Sequence, residues 1–386
     1  MSKILFLTNS KLFPLDNGAS LYSYSLIEYL KKQGNSIDLI NFYSTYEYSE
    51  NEIDKLKDIC EEVNEVKLTN SSYVQNIDLF LPITIKKYYK KSMISFLKLY
   101  SNNYDYVVYD HLHMAIYRKY AKSKTHVLLE HNIETNIWLS YLKRKKGLFK
   151  VVIYWQYLLM KAYEKRVLKS FSSIITISKD EQSYAILHNS SSNVYIFKPN
   201  LIVENIKSID NLSKTHNRLI FIGSYKWFPN QQAANYLVTE LMPKLRKRNI
   251  GIELLLVGSN PTSEILKYGK DFSDIIVTGR VESIDPYILK SDIFINPIES
   301  GAGVNIKVIE ALAKGIPVIS TTFGCRGLDL DYGKDVLIYH TIDELVDHIY
   351  NLISNKELRL KLHQNGLNFY CKYLETNSEI NKLFSS

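Results

Sequence analysis

Gly301-Ala302-Gly303-Val304-Asn305-Ile306-Lys307-Val308-Ile309-Glu310 places two glycines, a lysine and a glutamate inside one short run. Glycines at a turn entering a helix leave backbone N–H groups unhindered, and the helix end adds partial positive charge, so this run suits a diphosphate. Lys307 would add a full charge. Glu310 lies between Val308-Ile309 and Ala311-Leu312-Ala313, apolar company in which an unpaired carboxylate is costly and a ligand hydroxyl is a fitting partner. Upstream, Gly223 and Lys226 fall in Phe221-Ile222-Gly223-Ser224-Tyr225-Lys226-Trp227-Phe228-Pro229-Asn230. Arg280 and Val281 follow the strand-like Ile275–Thr278, at the end where open α/β sheets bind ligands. In the first half, His131 stands just past the strand-like His126–Leu129, in Glu130-His131-Asn132-Ile133-Glu134. Cys60, Cys325 and Cys371 lack metal-ligand spacing, and Asp329-Leu330-Asp331 reads as a turn. No metal and no bound cofactor are expected.

The elements that must hold these residues alternate between buried-type strands and helical runs. Ile4–Leu7, a helix from Ser20 to Gln33 and Ser36–Asn41 form a first βαβ unit. Tyr104–Tyr109, His126–Leu129, Ser173–Ile177 and Val194–Phe197 continue the pattern, with a long helix over 150–169. The polar stretch from Glu204 lacks periodicity and reads as a linker. Strands then resume at Leu219–Ile222, Glu253–Val257, Ile275–Thr278, Asp292–Asn296 and Pro317–Ser320, with helices near 230–248, 304–314 and 342–353. The expected organisation is an acceptor-side domain over 1–203, a linker over 204–217, a nucleotide-binding domain over 218–355, and C-terminal helices over 356–386 that return to the first domain. Two α/β domains suit 386 residues.

Charge is uneven. Residues 1–200 carry 27 basic and 19 acidic side chains, whereas the remainder is balanced; residues 86–169 alone hold 18 basic against 5 acidic. An anionic partner is expected on this surface. The basic, aromatic-rich segment over 141–169, with Trp138 beside it, suits an anionic membrane or a polyprenyl-diphosphate acceptor, or else a long helix partly buried in protein. Nucleic acid fits poorly, because no recognition module accompanies the charge. No window of eighteen apolar residues suggests a membrane span, and the N-terminal apolar run reads as a first strand, so a cytoplasmic address is expected.

The two long segments of the second half, Phe221–Asn230 and Asn296–Val318, with Thr278-Gly279-Arg280-Val281 between them and Gly324 to Leu328 after, resemble glycosyltransferase family 4 (glycosyl transferases group 1). The first half matches more loosely, through Pro14 to Gly18, Glu130–Glu134 and Ile177-Ser178. The resemblance implies the GT-B fold, two Rossmann-like domains facing each other across a cleft. It implies a metal-independent, retaining hexosyltransferase acting from a nucleotide-diphosphate sugar on a polysaccharide or lipid-linked oligosaccharide. It also assigns roles: Gly301, Gly303, Val304, Asn305, Lys307, Lys226 and Gly223 around the donor phosphates, Glu310 at the ribose, Arg280 and Val281 at the nucleobase. Gly18 approaches phosphate and sugar, and His131 lies beside the anomeric centre. His131, Lys307 and Glu310 are the expected catalytic set. One departure stands out. Ala302 occupies the place of a glutamate that in the family usually holds sugar hydroxyls, and Glu299 is a nearby substitute. A GT-B protein without activity, stabilising another transferase, and another GT-B enzyme such as a nucleotide-sugar epimerase remain as alternatives. A dehydrogenase is disfavoured, since neither half carries Gly-x-Gly-x-x-Gly after its first strand.

Overall fold

Lys3–Thr8 (β1) is apolar along both faces and buried from its second residue onward, the signature of a strand covered by helices on each side. The computed structural model describes residues 1–15, 18–43, 47–68, 80–144, 147, 149–201, 203, 205–209, 216–301, 303–375 and 377–384. The chain forms two units, Met1–Asn200 with Thr376–Ser386, and Leu201–Glu375.

In the first unit β1 is followed by α1 (Gly18–Lys32), β2 (Ser36–Tyr43), α2 (Glu50–Lys57), β3 (Glu62–Lys67), α3 (Ile83–Lys86) and α4 (Lys91–Tyr100). Then come β4 (Tyr106–Asp110), β5 (Thr125–Glu130), α5 (Glu134–Arg144), α6 (Phe149–Ser170), β6 (Ser173–Thr176), α7 (Lys179–His188) and β7 (Asn193–Ile196). All seven strands are parallel, in the order β3-β2-β1-β4-β5-β6-β7. The order reverses direction between β1 and β4, and crevices at such points, beyond the carboxyl ends of the strands, are where open α/β sheets take ligands. β3 was not read from sequence: as an edge strand with the half-exposed pattern Glu-Val-Asn-Glu-Val-Lys it lacks the apolar run of its neighbours.

The second unit contains β8 (Arg218–Ile222), α8 (Phe228–Tyr236), a π-helical turn over Leu237–Leu241, α9 (Met242–Lys247), β9 (Glu253–Val257), α10 (Ser263–Asp271) and β10 (Ile275–Gly279). It continues with α11 (Asp285–Ile288), β11 (Ile293–Asn296), α12 (Ile306–Ala313), β12 (Val318–Ser320), β13 (Leu337–Ile338), α13 (Ile342–Ser354) and α14 (Lys356–Glu375). Its parallel sheet runs β10-β9-β8-β11-β12-β13, reversing between β8 and β11. The single helix expected over 230–248 is thus interrupted by a wider turn just before Pro243, a residue that cannot donate to the helical ladder.

The C-terminal run does not move as one piece. α14 remains in the second unit, where Gly366 lies against α12 so closely that a Cβ there would be 3.2 Å from the Leu312 carbonyl oxygen. His363 Nδ1 lies 2.8 Å from the Gly315 carbonyl oxygen. Only the last segment, with α15 (Ser378–Phe384), belongs to the first unit. There Asn377 brackets Lys198 through both backbone groups, and Phe384 meets the Tyr106 ring at 5.0 Å.

Candidate functional site

In the second unit the β8–α8 loop and the run leading into α12 converge where the sheet order reverses. Asn230 is the junction: its Nδ2 donates to the Ser224 carbonyl at 2.8 Å, and its Oδ1 accepts from Lys307 Nζ at 2.9 Å. A side chain at position 223 would place Cβ 2.7 Å from Asn230 Nδ2, so Gly223 is what lets Asn230 seat. The Lys307 ammonium also lies 4.8 Å from the centre of the Phe221 ring. Burial pushes this ammonium down to about 7, because among the described residues no carboxylate stands against it to repay the desolvation. A cavity of about 110 Å³ opens beside it, lined by Trp227, Asn230, Ser300, Gly301, Gly303 and Lys307 among others. That volume suits one phosphate group and is too small for a whole nucleotide.

Gly301 and Gly303 have φ of 139° and 73°, backbone conformations that a side chain disfavours. Asn305 stands at the N-cap of α12 without capping it and instead donates to the Gly324 carbonyl at 2.9 Å. No side chain caps α12, but Ile306 N–H and Val308 N–H already donate to the Val304 and Asn305 carbonyls, so what the helix start offers an anion is mainly its positive dipole end. Arg326 reaches the Gly303 carbonyl at 3.3 Å and brings a second cation to the rim. Glu310 follows Lys307 by three residues, one helical turn on, and burial pushes its carboxyl up to about 7, opposed by Lys314 and reinforced by Asp285. Among the described residues its carboxylate makes no hydrogen bond.

Other sequence-named residues stand outside this pocket. Lys226 is exposed. Glu299 is exposed at the end of β11 and faces Tyr236 and Tyr339, whose hydroxyls burial pushes up, with the Glu299 charge adding to it. Arg280 and Val281 follow the edge strand β10, at the same end of the sheet but separated from β11 by β9 and β8. Val304 lies in the turn before α12, its carbonyl accepting from Ile306 N–H. Ala302 lies outside the described residues. A broader depression of about 740 Å³, lined by His216, Arg218, Arg246, Glu253 and Asp274, sits at the amino ends of β8 and β9. Its arginines are spent on Glu253 and Asp274, and it lies at the wrong end of the strands for a ligand.

In the first unit a second cluster forms at the β1/β4 reversal. Asp110 closes β4 fully buried, and its Oδ1 lies 2.6 Å from His131 Nε2 and 3.1 Å from His111 Nδ1. Its other oxygen accepts from Ser23 Oγ on α1 at 2.7 Å. The two imidazoles stack at 3.9 Å, inclined by 13°, and His111 takes φ 71°, costly for a residue with a side chain. Burial works against charge throughout, yet His111 and His131 hold the Asp110 carboxyl well below the usual range. Asp110 raises His111 despite its burial, while burial and the neighbouring His111 lower His131. Ionised Asp110 accepts from His131 Nε2, which in a neutral ring leaves Nδ1 as an acceptor. The ligand atoms of Asp110, His111 and His131 lie close enough to hold an ion; the His131 contact with Asp110 is a hydrogen bond, whereas His111 Nδ1, 3.1 Å from the same oxygen, makes none. Sequence reading missed Asp110, His111 and Asn230. The first two follow a strand-like run, the position that had already drawn attention to His131. Gly18 opens α1, five residues before Ser23.

Beneath His131, Glu130, Glu134, Glu164 and Glu181 are all buried. Glu164 accepts from the N–H groups of Glu134 and Thr135, from Thr135 Oγ1 and from Tyr184. Burial pushes Glu134 up to about 7 and Glu130 well above the usual range. These carboxyls fix the start of α5 and the strand end that carries His131.

Residues 216–355 match the family described as glycosyl transferases group 1. An uncharacterised 44.6 kDa protein in a cps region of Klebsiella pneumoniae is 25% identical over the whole chain and 99% of its own length. Among solved structures, HepE from Anabaena, determined with UDP and glucose, superposes with a TM-score of 0.69 at 14% identity, over 100% of this chain and 99% of that one. TarM gives 0.70 at 12%, over 100% and 98%. WaaG, a glycosyltransferase involved in lipopolysaccharide biosynthesis, gives 0.66 at 13%, over 99% and 100%. These likenesses show the GT-B fold.

Proposed function

We propose, on the premise that this GT-B chain carries a glycosyl transferases group 1 domain, that it moves a hexose from a nucleotide-diphosphate sugar to a growing polysaccharide or lipid-linked oligosaccharide. The observation that carries the reading is the half-buried Lys307, unopposed by any carboxylate among the described residues, held by Asn230 beside a phosphate-sized cavity at the entrance to α12. Breaking a glycosyl–phosphate bond leaves negative charge on the diphosphate, and fixed cations and helix dipoles that meet it lower the barrier. Lys307, Arg326 and the positive dipole end of α12 supply such a field without a metal. Glu310, as a carboxylate, accepts from ribose hydroxyls, and Arg280 and Val281 serve the nucleobase. His131 Nδ1 accepts from a sugar hydroxyl on the first unit's side. Retention follows in this reading from front-face displacement, with a donor phosphate oxygen taking the acceptor proton, so no protein nucleophile is called for. HepE was solved with UDP and glucose, which supports a uridine donor as the first to test, and the cps-region relative supports surface glycan as acceptor.

The test is a thermal-shift panel of nucleotide sugars on wild type, Lys307→Met and Glu310→Ala. A ligand that binds the native state raises apparent stability with the logarithm of its saturation, roughly 2.7 kcal/mol at a hundredfold excess over Kd. One nucleotide sugar should stabilise the wild type and lose its effect in both variants. Binding of none at millimolar concentration would sink the reading and favour a partner protein without activity.

A further inference from the structure

The N-terminal half of α6 is the most exposed apolar element of the first unit. Phe149, Val151, Val152, Tyr154, Trp155 and Leu158 are between 39% and 77% exposed, and only from Leu159 onward does the helix acquire buried residues. Helical spacing sorts these side chains. Ile153, Gln156, Tyr157, Met160, Tyr163 and Val167 share the inward stripe, and Gln156 Oε1 accepts from Ile83 N–H at 2.9 Å. Val151, Tyr154, Trp155 and Leu158 share the outward stripe, and the same stripe continues as Lys161, Lys165 and Lys169, all exposed. Phe80 and Ile83, exposed at 76% and 49%, extend the apolar area beside it.

The surroundings are cationic in a way the composition alone understates. Of the five acidic residues over 86–169, Asp110, Glu130, Glu134 and Glu164 are buried, and Asp105 is engaged by Lys124 at 2.8 Å. Lys91, Lys98, Lys143, Lys150 and Arg166 are exposed with no acidic partner among the described residues. The apolar stripe runs about 10 Å along the helix, at 1.5 Å per residue, and a helix lying in the membrane plane sinks such a face roughly 5–10 Å into the headgroup boundary. Flanking lysines extend their stems along such a face and keep the ammonium at headgroup level. Nucleic acid offers nothing to Val151 or Leu158, and a second copy would set the same cations against each other.

We propose that the outward stripe of α6 is a docking surface for an anionic lipid bilayer, with Val151, Tyr154, Trp155 and Leu158 entering the interface and Lys161, Lys165 and Lys169 meeting the headgroups. The inference is independent of the donor reading, since vesicle binding is measured without nucleotide. The full chain is floated with vesicles of phosphatidylglycerol and phosphatidylcholine in equal parts, and with phosphatidylcholine alone. Binding is expected to the mixed vesicles at low salt only. Val151→Ser/Trp155→Ser should weaken it by roughly tenfold or more, and Lys161→Ser or Lys165→Ser by roughly fivefold each. Both sets change exposed residues, and unchanged circular-dichroism melts confirm the fold. Trp155 emission should shift to the blue on binding and be quenched by brominated acyl chains. No binding to the mixed vesicles overturns the proposal. So does binding that the serine pair leaves intact, which marks charge attraction alone. A vesicle-free dimer in sedimentation equilibrium that Trp155→Ser dissolves assigns the stripe to a second copy instead.

Discussion

Lys307 and Glu310, one helical turn apart, are each brought by burial to about 7, from opposite directions. In the proposed donor site a bound diphosphate requires the ammonium, and ribose hydroxyls donate to the carboxylate. The competent free protein therefore has Lys307 protonated and Glu310 ionised. With both groups near 7, Lys307 is about nine-tenths protonated at pH 6 and about 3% protonated at pH 8.5, and the ionised fraction of Glu310 runs the opposite way. The product peaks at pH 7, so affinity should be about threefold weaker at pH 6 and about eightfold weaker at pH 8.5, roughly 0.6 and 1.2 kcal/mol. Proton linkage is sharper still. Binding should take up about 0.8 proton at pH 8 and release about 0.8 at pH 6, crossing zero near pH 7. Isothermal titration in buffers of different ionisation enthalpy reads this number. A nucleotide sugar is the probe, because the terminal phosphate of a nucleotide diphosphate titrates near 6 itself. Glu310→Gln should abolish proton release and the acid limb, and Lys307→Arg, whose guanidinium stays charged, should abolish uptake and the alkaline limb. Affinity and proton count that are flat from pH 6 to 8.5 would refute the reasoning, as would an alkaline limb that survives Lys307→Arg.

Three further outcomes are expected. Asp110→Asn removes the charge that orients His131, so kcat should fall roughly 10- to 100-fold, as outer partners of a functional histidine typically do, with nucleotide-sugar affinity unchanged by calorimetry. Glu134 has a folded value near 7 against about 4.3 unfolded, so the folded state binds the extra proton and its stability falls as pH rises through that window. Glu134→Gln should therefore become more stable than wild type by roughly 2 kcal/mol at pH 8 and match it near pH 4.5, read by urea unfolding at several pH values. Gly324→Ala drives a methyl onto Ser320 Oγ and Asn296 Nδ2, both buried in mutual hydrogen bonds, and should cost about 1–3 kcal/mol in the same assay.

The second unit's candidate site is legible from local signals because the residues that compose it are compact in sequence. Gly301 to Glu310 supplies the turn, the helix end, the cation and the carboxylate in one run, so motif and site nearly coincide. Asn230 escaped attention because its role comes from tertiary placement, a side chain reaching Lys307 from seventy-seven residues away. Asp110 and His111 escaped for the same reason. Only pairing β4 with β5 and β1 sets Asp110 beside His131 and Ser23, and pairing is non-local. The long buried strands were legible from their unbroken apolar runs, whereas β3 and the two-residue β13 were not, being half-exposed or too short for a period. Over 150–169 the sequence left both surface contact and burial open. The helix is exposed over its N-terminal half and acquires buried residues from Leu159 onward.

Residues 376–386 complete the first unit although 175 residues of the second intervene. Ile380 and Phe384 are buried there, and Tyr29 Oη donates to the Asn377 carbonyl at 3.0 Å. On the ribosome, where domains generally fold as units during synthesis, the unit begun first is therefore finished last. Its sheet must wait with the α15 seat bare while the second unit, contiguous from Leu201 to Glu375, closes independently. A nascent chain arrested at Glu375 would pair a mature second unit with an unsealed first one, and that interval is when a chaperone has most to cover.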